Sequence, residues 1–281
     1  MQGHNLTVDE ITAFGEYLRA EEREGSTIEK YLRDVRAFYT WLEKRTVTKE
    51  EAAGWKEYLR RCEYKPETIN SMLSALNRFF GFVQWPECRV KYLKIQRRLF
   101  RSAEKDLTRE EYMRLLETAD ALGKPRLSLL METICATGIR VSEVKYITVE
   151  AAQAGRAEIA LKGKIRTILI PGKLCRKLLK YAKKQKTGSG EIFLTRTGKG
   201  LTRRQIWAEM KAICKRAGVA PSKVFPHNLR HLFARTFYRS CRDVVQLADV
   251  LGHSSIETTR IYLVSTGIEY VRRMNRLGLI L

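Results

Sequence analysis

Three short segments of this chain hold the side chains best suited to chemistry. Ala136-Thr137-Gly138-Ile139-Arg140-Val141-Ser142-Glu143 places Arg140 just after a glycine that stops an apolar helix. Pro226-His227-Asn228-Leu229-Arg230-His231 sets His227 and Arg230 three residues apart, on one face of a helix. Leu251-Gly252-His253 is followed by Tyr262, nine residues after the histidine. These residue types suit a reaction at a phosphate. Arginine stays charged and forms two-point hydrogen bonds to non-bridging oxygens. Imidazole moves protons near neutral pH. A phenol, with an ordinary pKa of about 10, becomes a nucleophile when a base or a cationic field removes its proton.

Other routes to phosphate chemistry find little support. Two-metal catalysis needs clustered carboxylates, and Asp243, Asp249 and Glu257 form no such cluster in the sequence. A GxxxxGK[ST] loop for ATP is absent, and Asn228 stands where an HExxH metal site would need Glu. The six cysteines include no CxxC pair, so no structural zinc is expected, and reduced, mostly buried thiols are. Each residue also has an ordinary reading taken alone. Arg140 reads as a surface or capping charge, His253 as a helix-cap histidine, and Tyr262 as one packed ring among 12 tyrosines.

Order and spacing change that. The segments resemble the tyrosine recombinases, also called phage-type integrases, and look closest to Xer-like or short mobile-element integrases. That family's pattern is an A-T-G-[LI]-R-[VI]-S-E block, an H-x-L-R-H block, an L-G-H block and a tyrosine nine residues after the last histidine. All four occur here in family order, over about Leu107–Leu281. The family also places a lysine on a β-hairpin, as G-K-x-G-K-x-R-x-x-P. Here the segment runs Leu161-Lys162-Gly163-Lys164-Ile165-Arg166 and reaches Pro171. One deletion puts Lys162 in the catalytic place, with Lys164 as the alternative.

The resemblance implies a catalytic set of Arg140, Lys162, His227, Arg230, His253 and Tyr262, with no metal and no cofactor. Tyr262 would attack a backbone phosphorus, form a 3′-phosphotyrosine and release a 5′-hydroxyl, whose later attack reseals the strand without ATP. Arg140 and Arg230 would hold the phosphate and Lys162 would protonate the leaving oxygen. His227 would act as base, His253 would hydrogen-bond the phosphate, and Glu143 would orient its neighbours. His231 is expected in a structural or supporting role. Implied partners are double-stranded DNA bearing an inverted-repeat site and, on that DNA, three further copies in a homotetramer. A catalytically silent DNA-binding protein of the same fold is the competing reading, and a type IB topoisomerase is disfavoured by the H-x-x-R block.

Charge agrees with a polyanionic partner. The 281 residues carry 53 Lys/Arg against 31 Asp/Glu, a net of +22. Residues 1–98 hold only +3 of it and residues 99–281 hold +19. No apolar run is long enough for a transmembrane helix, and MQGHNLTVDE lacks a signal-peptide pattern. A cytoplasmic, nucleoid-associated protein with no membrane contact is expected.

The elements that must position these residues fall into two domains, with a polar, basic linker at Arg97–Thr108 and the boundary near 100–106. Residues 1–100 read as a helical bundle: apolar periods follow Thr7, a Ser26/Glu29 capping pair, a Thr48/Glu51 pair, and Pro66 at a helix entrance. The resemblance casts this bundle as a core-binding, SAM-like DNA-binding domain. Residues 107–281 read as a mixed α+β catalytic domain. Helices are expected over Leu107–Ala119, Pro125–Ala136, Lys173–Lys186 and Thr202–Ala217, and from Pro226 onward with breaks at Gly252 and near Gly267. Strands are expected at Arg156–Leu161, Arg166–Ile170 and Glu191–Leu194, with Lys162–Ile165 as a hairpin turn. The fold class is therefore mainly α with a small antiparallel sheet, and the family resemblance adds a C-shaped clamp on DNA. Ile268, Val271, Met274 and Leu277 form an apolar stripe that either folds back on its own domain or docks on a neighbouring protomer.

Overall fold

The computed structural model describes residues 3–95, 105–161, 164–253, 255–263 and 274–277. The chain divides into two compact units, Met1–Arg97 and Arg98–Leu281. Mainly helical architecture with one small antiparallel sheet is what the described residues contain. None of their helices is long and apolar enough to cross a membrane.

The first unit is built from α1 (Val8–Ala20), α2 (Gly25–Leu42), α3 (Lys49–Arg61) and α4 (Pro66–Phe82). Thr7 caps α1 in a reciprocal box with Glu10, and Thr48 caps α3 by accepting from Glu51 N–H. The Ser26/Glu29 box does not form. Helix α2 starts two residues earlier than a Ser26 cap requires, at Gly25, and its N-cap residue Glu24 makes no side-chain cap bond. Phe14, Phe38, Trp55, Phe79 and Phe80 interlock in the core, several edge to face. Two asparagines two turns apart on α4 then bind the chain that leaves the helix. Asn77 exchanges both hydrogen bonds with the Val90 backbone, at 2.9 and 2.8 Å, and Asn70 does the same with Leu93. His4 stacks on Trp85 at 4.5 Å and pairs with Glu87 at 2.6 Å, tying the start of the unit to its end.

The second unit contains α5 (Arg109–Ala121), α6 (Pro125–Thr137), α7 (Val149–Ala154), β1 (Arg156–Leu161), β2 (Lys164–Leu169), α8 (Gly172–Lys184), α9 (Arg203–Ile213), α10 (Pro226–Cys241), α11 (Val244–Leu251) and α12 (Ile256–Leu263). Thr108 and Thr202 cap α5 and α9 with reciprocal boxes to Glu111 and Gln205. Strands β1 and β2 pair antiparallel, from Arg156 opposite Leu169 to Leu161 opposite Lys164. Ala157, Ile159 and Ile168 point into the core while Leu169 is 70% exposed, the alternation a one-sided sheet requires.

Two sequence expectations change here. The hairpin turn is shorter than four residues, because Lys164 and Ile165 already belong to β2; Lys162 and Gly163, the two connecting residues, lie outside the described residues. Glu191–Leu194 is not a strand. It makes only isolated bridges, Thr148 with Glu191 and Leu194 with Gly200.

Candidate active site

The site begins where α6 ends. Gly138 takes a left-handed backbone, φ 65°, and a Cβ there would lie 2.4 Å from Phe233 of α10. That close approach turns the chain so that Arg140 opens a short 3₁₀ helix, Val141–Tyr146, with its side chain partly in solvent. Glu143, 2% exposed, accepts from Arg140 at both its backbone N–H (2.7 Å) and its guanidinium (2.9 Å).

Glu143 has a second cation. Arg166 Nη1, from β2, lies 2.9 Å from each Glu143 carboxylate oxygen, and Arg166 Nη2 donates to the Val250 carbonyl at 3.0 Å. Burial pushes the Arg166 pKa down and Glu143 opposes that shift. Gly252 ends α11 with φ 62°, and a Cβ on it would lie 2.2 Å from Arg166 Cδ. The glycine therefore satisfies two demands together: a left-handed cap and room for Arg166.

Helix α10 brings the second block. Its entrance is fixed by Asn228, fully buried, which donates to the carbonyls of Lys223 (2.7 Å) and Lys105 (3.1 Å). Arg230 is 1% exposed. It donates to the Gly138 carbonyl, to the Leu251 carbonyl at 2.9 Å and to His253 Nε2 at 2.9 Å. One side chain thus holds the turns before Arg140 and before His253. Burial and the neighbouring Arg140 and Arg166 pull Arg230 down to about 10 while the Tyr262 oxygen supports its charge, so it stays cationic at neutral pH. Its buried Nε–H has no acceptor among the described residues.

Helix α12 supplies the phenol. Tyr262 is 6% exposed and packs with Ala234, Leu247 and Leu251. Its ring is surrounded by imidazoles: His231 at 4.3 Å, His227 at 5.5 Å and His253 at 5.5 Å between centroids. The Arg230 guanidinium lies 5.9 Å from the same ring. Burial, with Arg230 beside it, holds the His253 pKa down to about 4, so this ring is neutral at pH 7.

Of the residues singled out in the sequence, His227, Arg230, His253 and Tyr262 share one contact cluster. Arg140 joins it electrostatically and through Glu143 and the Gly138 turn. Lys162 lies outside the described residues; Lys164 is placed at the start of β2, opposite Leu161. His231, expected in a structural or supporting role, lies nearest of the three imidazoles to the phenol ring. Arg166 and Thr259 escaped sequence reading as site residues. Arg166 served there only to align the hairpin, and a threonine offers no chemical signal of its own.

The sequence model of the phage integrase family matches residues 105–267, more than half of the chain. The chain belongs to the phage integrase family. Residues 11–86 match that family's N-terminal SAM-like domain. Among curated proteins, the chain is 29% identical to tyrosine recombinase XerA of Pyrococcus furiosus, with 93% of this chain and 91% of that protein covered. It is 30% identical to tyrosine recombinase XerC of Roseiflexus castenholzii, covering 90% and 88%. In three dimensions it resembles a lambda integrase dimer bound to a COC′ core site (TM-score 0.72, 18% identity, 92% and 77% covered). It also resembles XerH bound to difH before cleavage (TM-score 0.68, 20% identity, 95% and 84% covered). At these identities the structural likeness speaks for the fold.

Proposed function

We propose that this phage integrase family member is a site-specific DNA recombinase whose nucleophile is Tyr262. The observation that carries the reading is the burial of that phenol among His227, His231, His253 and the Arg230 guanidinium within one chain. A merely packed tyrosine does not require three imidazoles and a buried cation around it.

In the proposed step the Tyr262 oxygen attacks a backbone phosphorus and its proton passes to His227. The P–O5′ bond breaks, and the 5′-oxygen takes a proton from the hairpin lysine, Lys162. Arg140 and Arg230 stabilise the charge that develops on the non-bridging oxygens. A 5′-hydroxyl from a partner strand then attacks the phosphotyrosine, and the proton transfers run in reverse. Neither metal nor nucleotide is needed, because the ester keeps the bond energy and fixed cations carry the charge.

Residues 107–281 would carry this chemistry, and residues 1–100 would grip the duplex as a core-binding domain. The partner is double-stranded DNA with an inverted-repeat site, bound by a homotetramer in the cytoplasm. A lambda integrase tetramer on a Holliday junction, 19% identical with a TM-score of 0.72, supports that assembly. So does the exposure of Met274 and Leu277, 62% and 64%, on the apolar stripe of the tail. Ile268 and Val271 lie outside the described residues. The test uses duplexes selected by the protein from a random pool and nicked to trap cleavage. A covalent adduct supports the reading; tight binding without an adduct on any selected duplex favours the silent DNA-binding protein.

A further inference from the structure

His253 is hydrogen-bonded at both ring nitrogens, and the two partners fix where its proton sits. Nε2 lies 2.9 Å from Arg230 Nη2. A guanidinium only donates, so Nε2 accepts. The ring is neutral, held so by burial and by the Arg230 charge. Its one proton is therefore on Nδ1, donated to Thr259 Oγ1 at 2.8 Å. Thr259 is fully buried, on α12, three residues before Tyr262 and so on the same helix face.

This arrangement does not suit a bound phosphate. Arg230 already serves the carbonyls of Gly138 and Leu251 as well as His253. A phosphate oxygen that takes the Arg230 donor from His253 would face the Nε2 lone pair, acceptor against acceptor. The conflict disappears if the ring carries its proton on Nε2. Nδ1 then needs a donor, and a hydroxyl is a partner able to switch from accepting to donating without moving its oxygen.

We propose that Thr259 supports His253 in either tautomer, accepting from Nδ1–H in the free protein and reversing its own hydrogen bond to donate to Nδ1 when a DNA phosphate enters the site. Before entry, His253 Nδ1–H donates to Thr259 and Nε2 accepts from Arg230. After entry, Arg230 donates to the phosphate, His253 Nε2–H donates to a phosphate oxygen, and Thr259 O–H donates to Nδ1. The Nδ1 proton leaves to water and another arrives from water at Nε2, so the ring's charge does not change. Thr259 is a positioning residue: it acts on the phosphate through His253. The inference rests on the phosphate-binding reading of the site.

The test combines a spectrum and a rate. With ¹⁵N-labelled histidine, only four rings are seen, and a His253→Gln variant assigns the one of interest. The free protein should contain neutral His253 protonated on Nδ1. Tyr262→Phe protein saturated with a selected duplex should contain neutral His253 protonated on Nε2. A free protein with the proton on Nε2 overturns the inference whether or not DNA is cleaved, as does a bound ring that stays Nδ1-protonated or becomes doubly protonated. Thr259→Val keeps the side-chain shape without the hydroxyl. Its single-turnover cleavage rate should fall about ten-fold with DNA Kd unchanged, and Thr259→Ser should stay within about two-fold of wild type. Wild-type cleavage by Thr259→Val contradicts the proposal. If Thr259→Val does not fold, the Thr259→Ser rate and the two spectra decide. Failure of wild type to cleave any duplex would instead count against the recombinase reading, which the free-protein spectrum does not depend on.

Discussion

Arg166 grips Glu143 with one guanidinium nitrogen 2.9 Å from each carboxylate oxygen, across 23 residues of chain. Glu143 in turn holds Arg140 at its backbone and its side chain. Because Arg166 also donates to Val250, one carboxylate joins the β-hairpin, the Arg140 turn and the approach to His253. Removing the carboxylate leaves two cations facing each other, one of them largely buried. Glu143→Gln should therefore cost about 3 kcal/mol of stability, lowering Tm by roughly 6–12 °C. Arg140→Gln, at a partly exposed position, should cost under about 1 kcal/mol and yet abolish strand cleavage. Thermal melting and a cleavage assay on the same two variants separate these outcomes.

Gly252 gives a sharper backbone test. Its φ of 62° costs an L side chain about 1–2 kcal/mol, and a Cβ would also press on Arg166 Cδ at 2.2 Å. Gly252→Ala should lose about 2 kcal/mol or more and reduce cleavage, since His253 follows directly. Combined with Arg166→Ala, the second substitution should cost less than it does alone, because the clash is gone. Additive losses in a double-mutant cycle would contradict the contact.

These two relationships mark where sequence reading stopped. His253 and Tyr262 lie within one helix–turn–helix, so their nine-residue interval was legible as spacing. The Thr48/Glu51 cap and the stop at Gly138 are legible for the same local reason. Arg166 against Glu143 is a long-range contact, and an arginine among 53 basic residues gives no sign of which carboxylate it meets. The Lys162–Ile165 turn is shorter than the sequence predicts because Lys164 and Ile165 lack a turn residue's preference, although they follow one, Gly163. Pairing with β1 decides their state. The Ser26 box failed because the helix found an earlier start at Gly25, leaving Ser26 inside the first turn. Glu191–Leu194 has a strand's composition but only single bridges beside it.

Acid should weaken the fold through His253. Its pKa is near 4 in the folded protein, against an ordinary value of about 6.5 when unfolded. Between those values the unfolded chain binds more protons, so stability rises with pH across about 4 to 6.5 and is lost as pH falls through that window. The ring is partly exposed, so the effect should be about 1–2 kcal/mol rather than the full shift. Melting curves of wild type and His253→Gln at pH 4.5 and 7 measure it. The wild type should lose more stability than the variant on acidification, and equal losses would contradict a neutral, half-buried His253.

The charge division predicts unequal roles in DNA binding. Residues 99–281 hold +19 of the net +22, and residues 1–98 hold +3. Charge reversal of two exposed basic residues on the N-terminal helices, such as Arg33 and Arg60, should still weaken binding and flatten its salt dependence. For every phosphate that these side chains no longer neutralise, the slope of log K against log salt should become shallower by about 0.9. An unchanged slope would mean that this unit does not touch phosphate through those helices.

The nucleophile is the central claim, and mapping the covalent bond tests it most directly. Wild-type protein trapped on a nicked duplex is digested with protease, and the peptide that retains nucleotide is sequenced by mass spectrometry. The account predicts a 3′-phosphotyrosine at Tyr262, with no adduct from a Tyr262→Phe protein that still folds and binds the duplex. An adduct on any other residue, or one that persists in Tyr262→Phe, would contradict it.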